Sequence, residues 1–326
     1  MRRLDVLLDG LPGPDGPAGW LERHAPSLLR LLARGRALPG ETSLSRAIGR
    51  AFGLGPNLPI APHTLAMDGL SPDDALWLRV DPVSVQFHQD QLVPLGPERL
   101  DVQRDEADAL IADLQRHFAA EGLVFHAPVP QRWYLRLNEV EALPETEPLD
   151  AVEGLPLQHH LPRGPAAAVW RRRLNEVQML LHDHPVNRAR EADGRWPING
   201  VWFWGGGRHV PLALPPGTRL AARHALAQAL AGAAGMHCAE PEGLYALQDA
   251  EAAMVILELP AGGDAERLTQ ALQRTEQRWF RPALRALRRG AIRSLGLTCT
   301  GPWRMSRELT PLSTYRVWQR TLNQTA

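Results

Sequence analysis

Lysine is missing from this chain: arginine supplies all 36 basic residues, set against 36 acidic ones, so the formal net charge is zero. A balanced chain of this kind lacks the basic footprint of a dedicated nucleic-acid binder. The Ala/Arg/Gly/Pro-rich composition fits a GC-rich coding sequence and carries no functional reading of its own. Cysteine is nearly absent too. Cys238 and Cys299 stand far apart with no metal or redox spacing, which excludes a disulfide framework or a zinc ribbon and leaves two buried thiols. No apolar run approaches the ~18 residues of a membrane span. The start, Met1-Arg2-Arg3-Leu4-Asp5, is broken by Asp5 and Asp9 before it reaches signal-peptide length, so a cytoplasmic location is expected. Internal repeats and low-complexity tracts are lacking as well.

What is present is a chain of 326 residues, enough to bury roughly three quarters of its unfolded surface in one large domain or two ordinary ones. Leu4–Leu8 reads as a buried strand stopped by Asp9-Gly10, and Leu21–Ala33 has helical spacing. In Ala75–Val80 with Val83, Val85 and Phe87, the alternation and flanking Pro82 predict an exposed two-faced hairpin. Ala107, Leu110, Ile111, Leu114 and Phe118 share one helix face, and Trp133–Leu137 returns as a strand. Prolines and charges between Pro144 and Pro165 predict a loop or linker. A helix from about Ala166, a strand at Val201–Trp204, a helix at Arg219–Ala231 and a strand at Met254–Leu259 follow. Leu268, Leu272, Thr275 and Trp279 share a further helix face, and Ile292–Thr298 closes the series as the last strand. This alternation predicts an α/β fold, a layered and mostly parallel sheet with helices on both faces. A smaller α/β unit is inserted into it. The expected division is 1–74 with 166–326 as the core and 75–165 as the inserted domain and linker.

The densest chemistry lies between Leu174 and Arg208. A helix with the stripe Leu174, Val177 and Leu181 ends near Pro185, which costs it a hydrogen bond. His184, Asn187, Arg188 and Arg190 cluster there, followed by Pro197-Ile198-Asn199, an apolar strand, and Gly205-Gly206-Gly207-Arg208. Glycines after a strand can offer bare N–H groups where α/β sheets bind ligands, and Arg188, Arg190 and Arg208 could grip a phosphate or carboxylate. The plainer reading is a sharp glycine turn, with the arginines solvated or paired to Glu176 and Glu191. As metal ligands, His182 and His184 lack a third residue of diagnostic spacing.

The run His184-Pro185-Val186-Asn187-Arg188, then Arg190, Gly194, Pro197-Ile198-Asn199 and Trp204-Gly205-Gly206-Gly207, resembles the archaeal-type cofactor-independent phosphoglycerate mutases. Gly235-Met236, the strand at Met254–Leu259, Gly263-Asp264, Glu276 and Pro282 keep the same order of landmarks. Asp81-Pro82-Val83-Ser84-Val85 resembles the inserted domain. Within the family the chain looks closest to bacterial RpfE-type regulatory proteins. The resemblance implies the alkaline-phosphatase-superfamily fold and a pocket for a phosphoester. Its full-length relatives use two divalent metals and a transiently phosphorylated serine. On that pattern Asp9 matches the first metal-binding Asp, and Ser43, in Pro39-Gly40-Glu41-Thr42-Ser43, is the candidate nucleophile.

The remaining ligands of the family have no counterparts. Glu258-Leu259-Pro260-Ala261-Gly262-Gly263 lacks the expected His, Thr298-Cys299-Thr300-Gly301-Pro302 replaces an Asp-His pair, and no His-Ser motif precedes Ala326. One or two oxygen ligands do not hold two divalent ions against water. The expected protein is therefore a catalytically degenerate relative that needs no cofactor. It binds a small anionic metabolite through His184, Asn187, Arg188, Arg190, Asn199, Gly205, Gly206, Gly207 and Arg208, and acts in regulation on a protein partner. Two alternatives stand beside it. One is an active mutase or phosphatase holding manganese or magnesium at a rearranged site that draws on Asp9, Ser43, Glu258, His209 or His237. The other is a structural interaction module built on tryptophans such as Trp202, Trp204, Trp303 and Trp318.

Overall fold

The computed structural model describes residues 1–13, 19–137, 142–212, 214–260 and 264–315. The chain forms two compact units, Met1–Ile48 with Leu212–Ala326, and Gly49–Pro211.

In the first unit the period-two apolar pattern of β1 (Arg3–Asp9) places it at the centre of a seven-stranded sheet. The other strands are β2 (Arg36–Leu38), β8 (Thr218–Ala221), β9 (Cys238–Ala239), β10 (Ala252–Glu258), β11 (Ser294–Cys299) and β12 (Met305–Leu309). Their order is β2-β12-β11-β1-β10-β8-β9. β1 pairs in parallel with β10 and β11, as does β8 with β10 and β9, whereas β12 runs antiparallel to β11 and β2. Leu4, Val6 and Leu8 on one face pack with Val255, Leu257, Leu295 and Leu297 beneath α2 (Pro26–Arg34) and α11 (Arg281–Arg288). On the opposite face Leu7 and its partner Ile256 are buried as well, the pattern of a parallel sheet covered on both sides. The helix expected over Leu21–Ala33 is split into α1 (Trp20–His24) and α2, because Pro26 has no N–H to continue the first and suits the opening of the second. Arg219 belongs to β8 rather than to a helix, which begins later as α9 (Ala225–Ala233). α10 (Ala265–Thr275) is capped by Asp264, whose carboxylate accepts from Glu266 and Arg267 N–H groups. α3 (Leu44–Ala51) runs across the division in the chain.

The second unit is antiparallel. Its sheet runs β4 (Gln91–Leu95), β3 (Leu76–His88), β6 (Arg132–Leu137), β5 (Val124–Val129), with β7 (Gly200–Gly207) also paired to β3. Pro82 does not break β3, which continues through it with Pro82 opposite Val201. Leu78 and Val80 face α5 (Arg104–Phe118) and α7 (Ala167–His182), where Leu110, Leu114, Phe118, Trp170, Leu174, Val177 and Leu181 close a core. Trp77 and Tyr134 face the other way, against Ala61 and Leu65 of α4 (Ala61–Met67). The expected linker holds α6 (Leu149–Val152), and α8 (Pro185–Ala192) follows α7.

The expected boundaries at 74/75 and 165/166 therefore move outward in the chain. α4 packs on β3, and β7 is hydrogen-bonded to β3 from Trp77 to Val83 with α7 against it, so residues 49–74 and 166–211 join the middle unit. Among the described residues no helix is long and apolar enough to cross a membrane.

Candidate functional site

The first unit brings chemistry to the carboxyl ends of its parallel strands, where open α/β sheets bind ligands. Asp9 and Glu258 end β1 and β10, and Thr300 follows β11. Thr300 N–H donates to Leu8 O at 2.9 Å and Leu259 N–H to Asp9 O at 3.0 Å, which draws the three strand ends together. Gly10 and Gly301 turn the chain there with φ of 78° and 86°. A Cβ on Gly10 would lie 2.9 Å from Leu259 O, so the turn needs glycine. The hydroxyl of Thr300 donates to Asp9 Oδ1 at 2.5 Å. His224, at the start of α9, keeps a buried Nδ1 with no hydrogen-bond partner, and burial lowers its pKa to about 4 against the opposing pull of Asp9.

These residues do not fit a two-metal phosphotransfer centre. A hydroxyl donor stands against the Asp9 carboxylate, and Cys299 is a poor ligand because burial pushes its thiol up to about 12. Among the described residues no three His, Cys, Asp or Glu side chains gather around a point. Ser43 is buried at the opening of α3, where its Oγ accepts from Arg46 N–H at 3.2 Å. His237 is exposed. The positions Ala261, Gly262, Gly263 and Trp318 lie outside the described residues.

The second unit does not gather the expected anion pocket. His184 caps α8, its Nδ1 accepting from Val186 N–H at 3.2 Å and its Nε2 lying 3.2 Å from Asp113. Asn187 is fully buried and staples the turn before β7: its amide donates to Leu181 O at 2.7 Å and Ile198 O at 2.9 Å, and its oxygen accepts from Ile198 N–H at 2.7 Å. The Arg190 guanidinium, 1% exposed, donates to Trp196 O, Leu100 O and Glu106, and burial lowers its pKa. Asn199 exchanges two bonds with the backbone of Val85. Gly205, Gly206 and Gly207 form neither a nest nor a turn. They lie buried inside β7, where added Cβ atoms would come within 2.6 Å of Ile60, 2.7 Å of Leu78 and 2.4 Å of Pro59. Arg208 is exposed and donates to Asp74 O, while Arg188 is exposed. Asn199 and Arg208 flank the two ends of β7, roughly 30 Å apart at about 3.3 Å per residue, so the predicted set does not converge on one ligand.

What converges instead was not foreseen from the sequence. Beneath α4, Arg79 donates to Asp81 Oδ1 through Nε at 2.9 Å and Nη2 at 2.5 Å, and Trp204 Nε1 donates to Asp81 Oδ2 at 2.6 Å. Asp68 accepts from Tyr134 Oη at 2.6 Å and from Arg132 Nε at 2.9 Å. Arg79 sits 5.4 Å over the rings of both Tyr134 and Trp204, and burial holds the Tyr134 phenol well above its usual range. Beside this network stands His63, 1% exposed, with both ring nitrogens lacking hydrogen-bond partners. A buried unsatisfied polar group costs about 1–3 kcal/mol. The His63 ring lies 4.8 Å from that of His209, and burial, helped by His209, lowers its pKa to about 4. A cavity of about 590 Å³ nearby in the chain is lined by Asp73, Asp74, Leu76, Val124 and Arg136, a mixed charge that does not select phosphate. The only sequence cue to the network was the Arg-Val-Asp-Pro run, because in a strand Arg79 and Asp81 must share a face.

Residues 67–187 match the profile of the family described as 2,3-bisphosphoglycerate-independent phosphoglycerate mutase. Over those residues the chain is similar to that family. The phosphoglycerate mutase of that description from Methanosarcina mazei is 29% identical over 107 residues, 32% of this chain and 27% of that enzyme. The corresponding enzyme of Methanothrix thermoacetophila is 42% identical over 62 residues, 19% of this chain and 16% of the enzyme. The mutase-like match thus spans about a quarter or less of these curated relatives. The solved cofactor-independent phosphoglycerate mutase of Thermoplasma acidophilum superposes with a TM-score of 0.44 at 17% identity, over 95% of this chain and 89% of that one.

Proposed function

We propose that this chain is a catalytically degenerate phosphoglycerate mutase-like protein that binds a phosphorylated or carboxylated small molecule and works in regulation through a protein partner, in the manner of the RpfE-type proteins. The observation that carries the reading is the Thr300 hydroxyl donating to Asp9 at the carboxyl edge of the first sheet, in place of a second acidic or imidazole ligand. A carboxylate held by a neutral hydroxyl lacks the ligand set that would lower a serine's pKa and neutralise a phosphoryl group. For the anion, candidate groups within the second unit are the exposed guanidinium groups of Arg188 and Arg208. Arg190, Asn187 and Asn199 are committed to the fold.

The test is a phosphoglycerate mutase assay with added manganese, run beside elemental analysis and thermal unfolding with phosphorylated three-carbon acids, on wild type and Asp9→Ala. Ligand-dependent stabilisation without turnover supports the reading. Turnover that disappears in Asp9→Ala, with metal lost in the same variant, overturns it and restores the active-enzyme alternative. Stabilisation lost in Arg208→Ala but kept in Arg188→Ala would locate the anion.

A further inference from the structure

The glycine end of β7 brings two imidazoles together. Gly207 lies where a Cβ would meet Pro59 at 2.4 Å and Gly205 where one would meet Ile60 at 2.6 Å, so the segment entering α4 rests directly on the strand. That approach seats His63, the third residue of α4, opposite His209, which follows two residues after β7. The rings stand 4.8 Å apart between centroids and are tilted by 55°. Ring contact alone would leave both nitrogens of His63 unsatisfied in a buried position. His209, by contrast, is exposed, so the pair opens toward solvent on one side.

We infer that His63 and His209 form a two-imidazole site for a borderline divalent transition-metal ion, zinc, copper(II) or nickel, with water completing the coordination. The spacing suits such an ion. Metal–nitrogen bonds of about 2.0–2.1 Å put each ring centroid about 3.2 Å from the metal, so two histidines on a tetrahedral ion have centroids roughly 5 Å apart. The nearby charges do not supply a hard-cation site: Asp81 is held by Arg79 and Trp204, and Asp68 by Arg132 and Tyr134. Neutral nitrogen donors without carboxylate select zinc, copper and nickel over magnesium, calcium and manganese. Two protein ligands are fewer than the three or four of established zinc sites, so the remaining positions are filled by water or by a ligand atom from a substrate or partner.

The test uses the untagged full-length chain, stripped with chelator and titrated with zinc against a chromogenic competitor, then loaded with cobalt(II) and read in the visible. One equivalent of zinc bound, and a tetrahedral cobalt band, are expected in wild type and in Asp9→Ala. His209→Ala, at an exposed position, should keep its circular dichroism and lose at least about tenfold in zinc affinity along with the cobalt band. His63→Gln gives the same loss from the buried side. Zinc affinity unchanged in a folded His209→Ala protein overturns the assignment, as does binding that disappears in Asp9→Ala. The Asp9→Ala arm keeps this site separate from the reading of the first unit, since either can fail alone.

Discussion

The first unit buries few charged groups, Arg34 and Glu276 among them, whereas the second buries more, on its sheet and on its helices. Asp9, Glu258 and Thr300 occupy strand ends, Arg34 at the end of α2 is buried, and Glu276 accepts from the N–H groups of Ser27 and Leu28 at 3.0 and 3.1 Å. The second unit buries Arg79, Asp81, Arg173, Arg190, His63 and Asn187. The family match, residues 67–187, falls wholly within that second unit, while Asp9 and Ser43, the candidates for phosphotransfer, fall outside it. The similarity to the mutases thus falls in the unit that buries more charge.

The sharpest way to break this comparison is to unpair the buried charges. Arg79→Met alone leaves Asp81 buried with only Trp204 and should cost about 3–5 kcal/mol in urea unfolding, whereas Arg79→Met with Asp81→Leu should recover most of that loss. If the single and double variants are equally unstable, the charges are not the cause. Asn187→Ala comes next: Ile198 loses the side-chain partner of its N–H and its carbonyl, and Leu181 O loses one of its donors, for about 2–3 kcal/mol and earlier exchange of the amides around Ile198. Acid acts on both units. His63 and His224 have folded pKa values lowered to about 4 from the usual 6.5, so the folded state binds fewer protons than the unfolded one. Their contribution to stability is complete above about pH 6.5 and is lost as pH falls through about 4. Measured in metal-free protein, His63→Phe should flatten the acid limb of the Tm profile; a limb unchanged in that variant would exclude His63. Smallest is Glu276→Gln, where the two N–H groups at the start of α2 keep one acceptor and lose the charge, for about 1 kcal/mol. A larger loss there would place more weight on buried charge in the first unit than the comparison allows.

Much of the fold could be read from the sequence where one local rule dominated. β1, β10 and β11 are short apolar runs, and α5 and α7 carry helical stripes, so burial and local pattern agreed. Failures came where a distant partner decided. Gly205–Gly207 read as a turn because glycine usually signals one, yet here it admits Pro59 and Ile60, almost 150 residues earlier in the chain. Arg190 read as a ligand group because nothing local reveals that Glu106 neutralises it from 84 positions away. β12 escaped notice because its half-buried Met-Ser-Arg-Glu-Leu pattern gains its sense only beside β11. Asp9 at a strand end was legible; its Thr300 partner, 291 positions on, was not.

Asn199 has one more consequence. Its side-chain amide exchanges hydrogen bonds with the Val85 backbone just beyond the last paired rung of β7, acting as a counterfeit peptide unit that seals the margin of β3. Asn199→Ala would leave that rung unclaimed on a strand whose neighbouring Phe87 already lies open to water. The first symptom should be molecules zipping together at this seam, seen in light scattering, well before either unit melts.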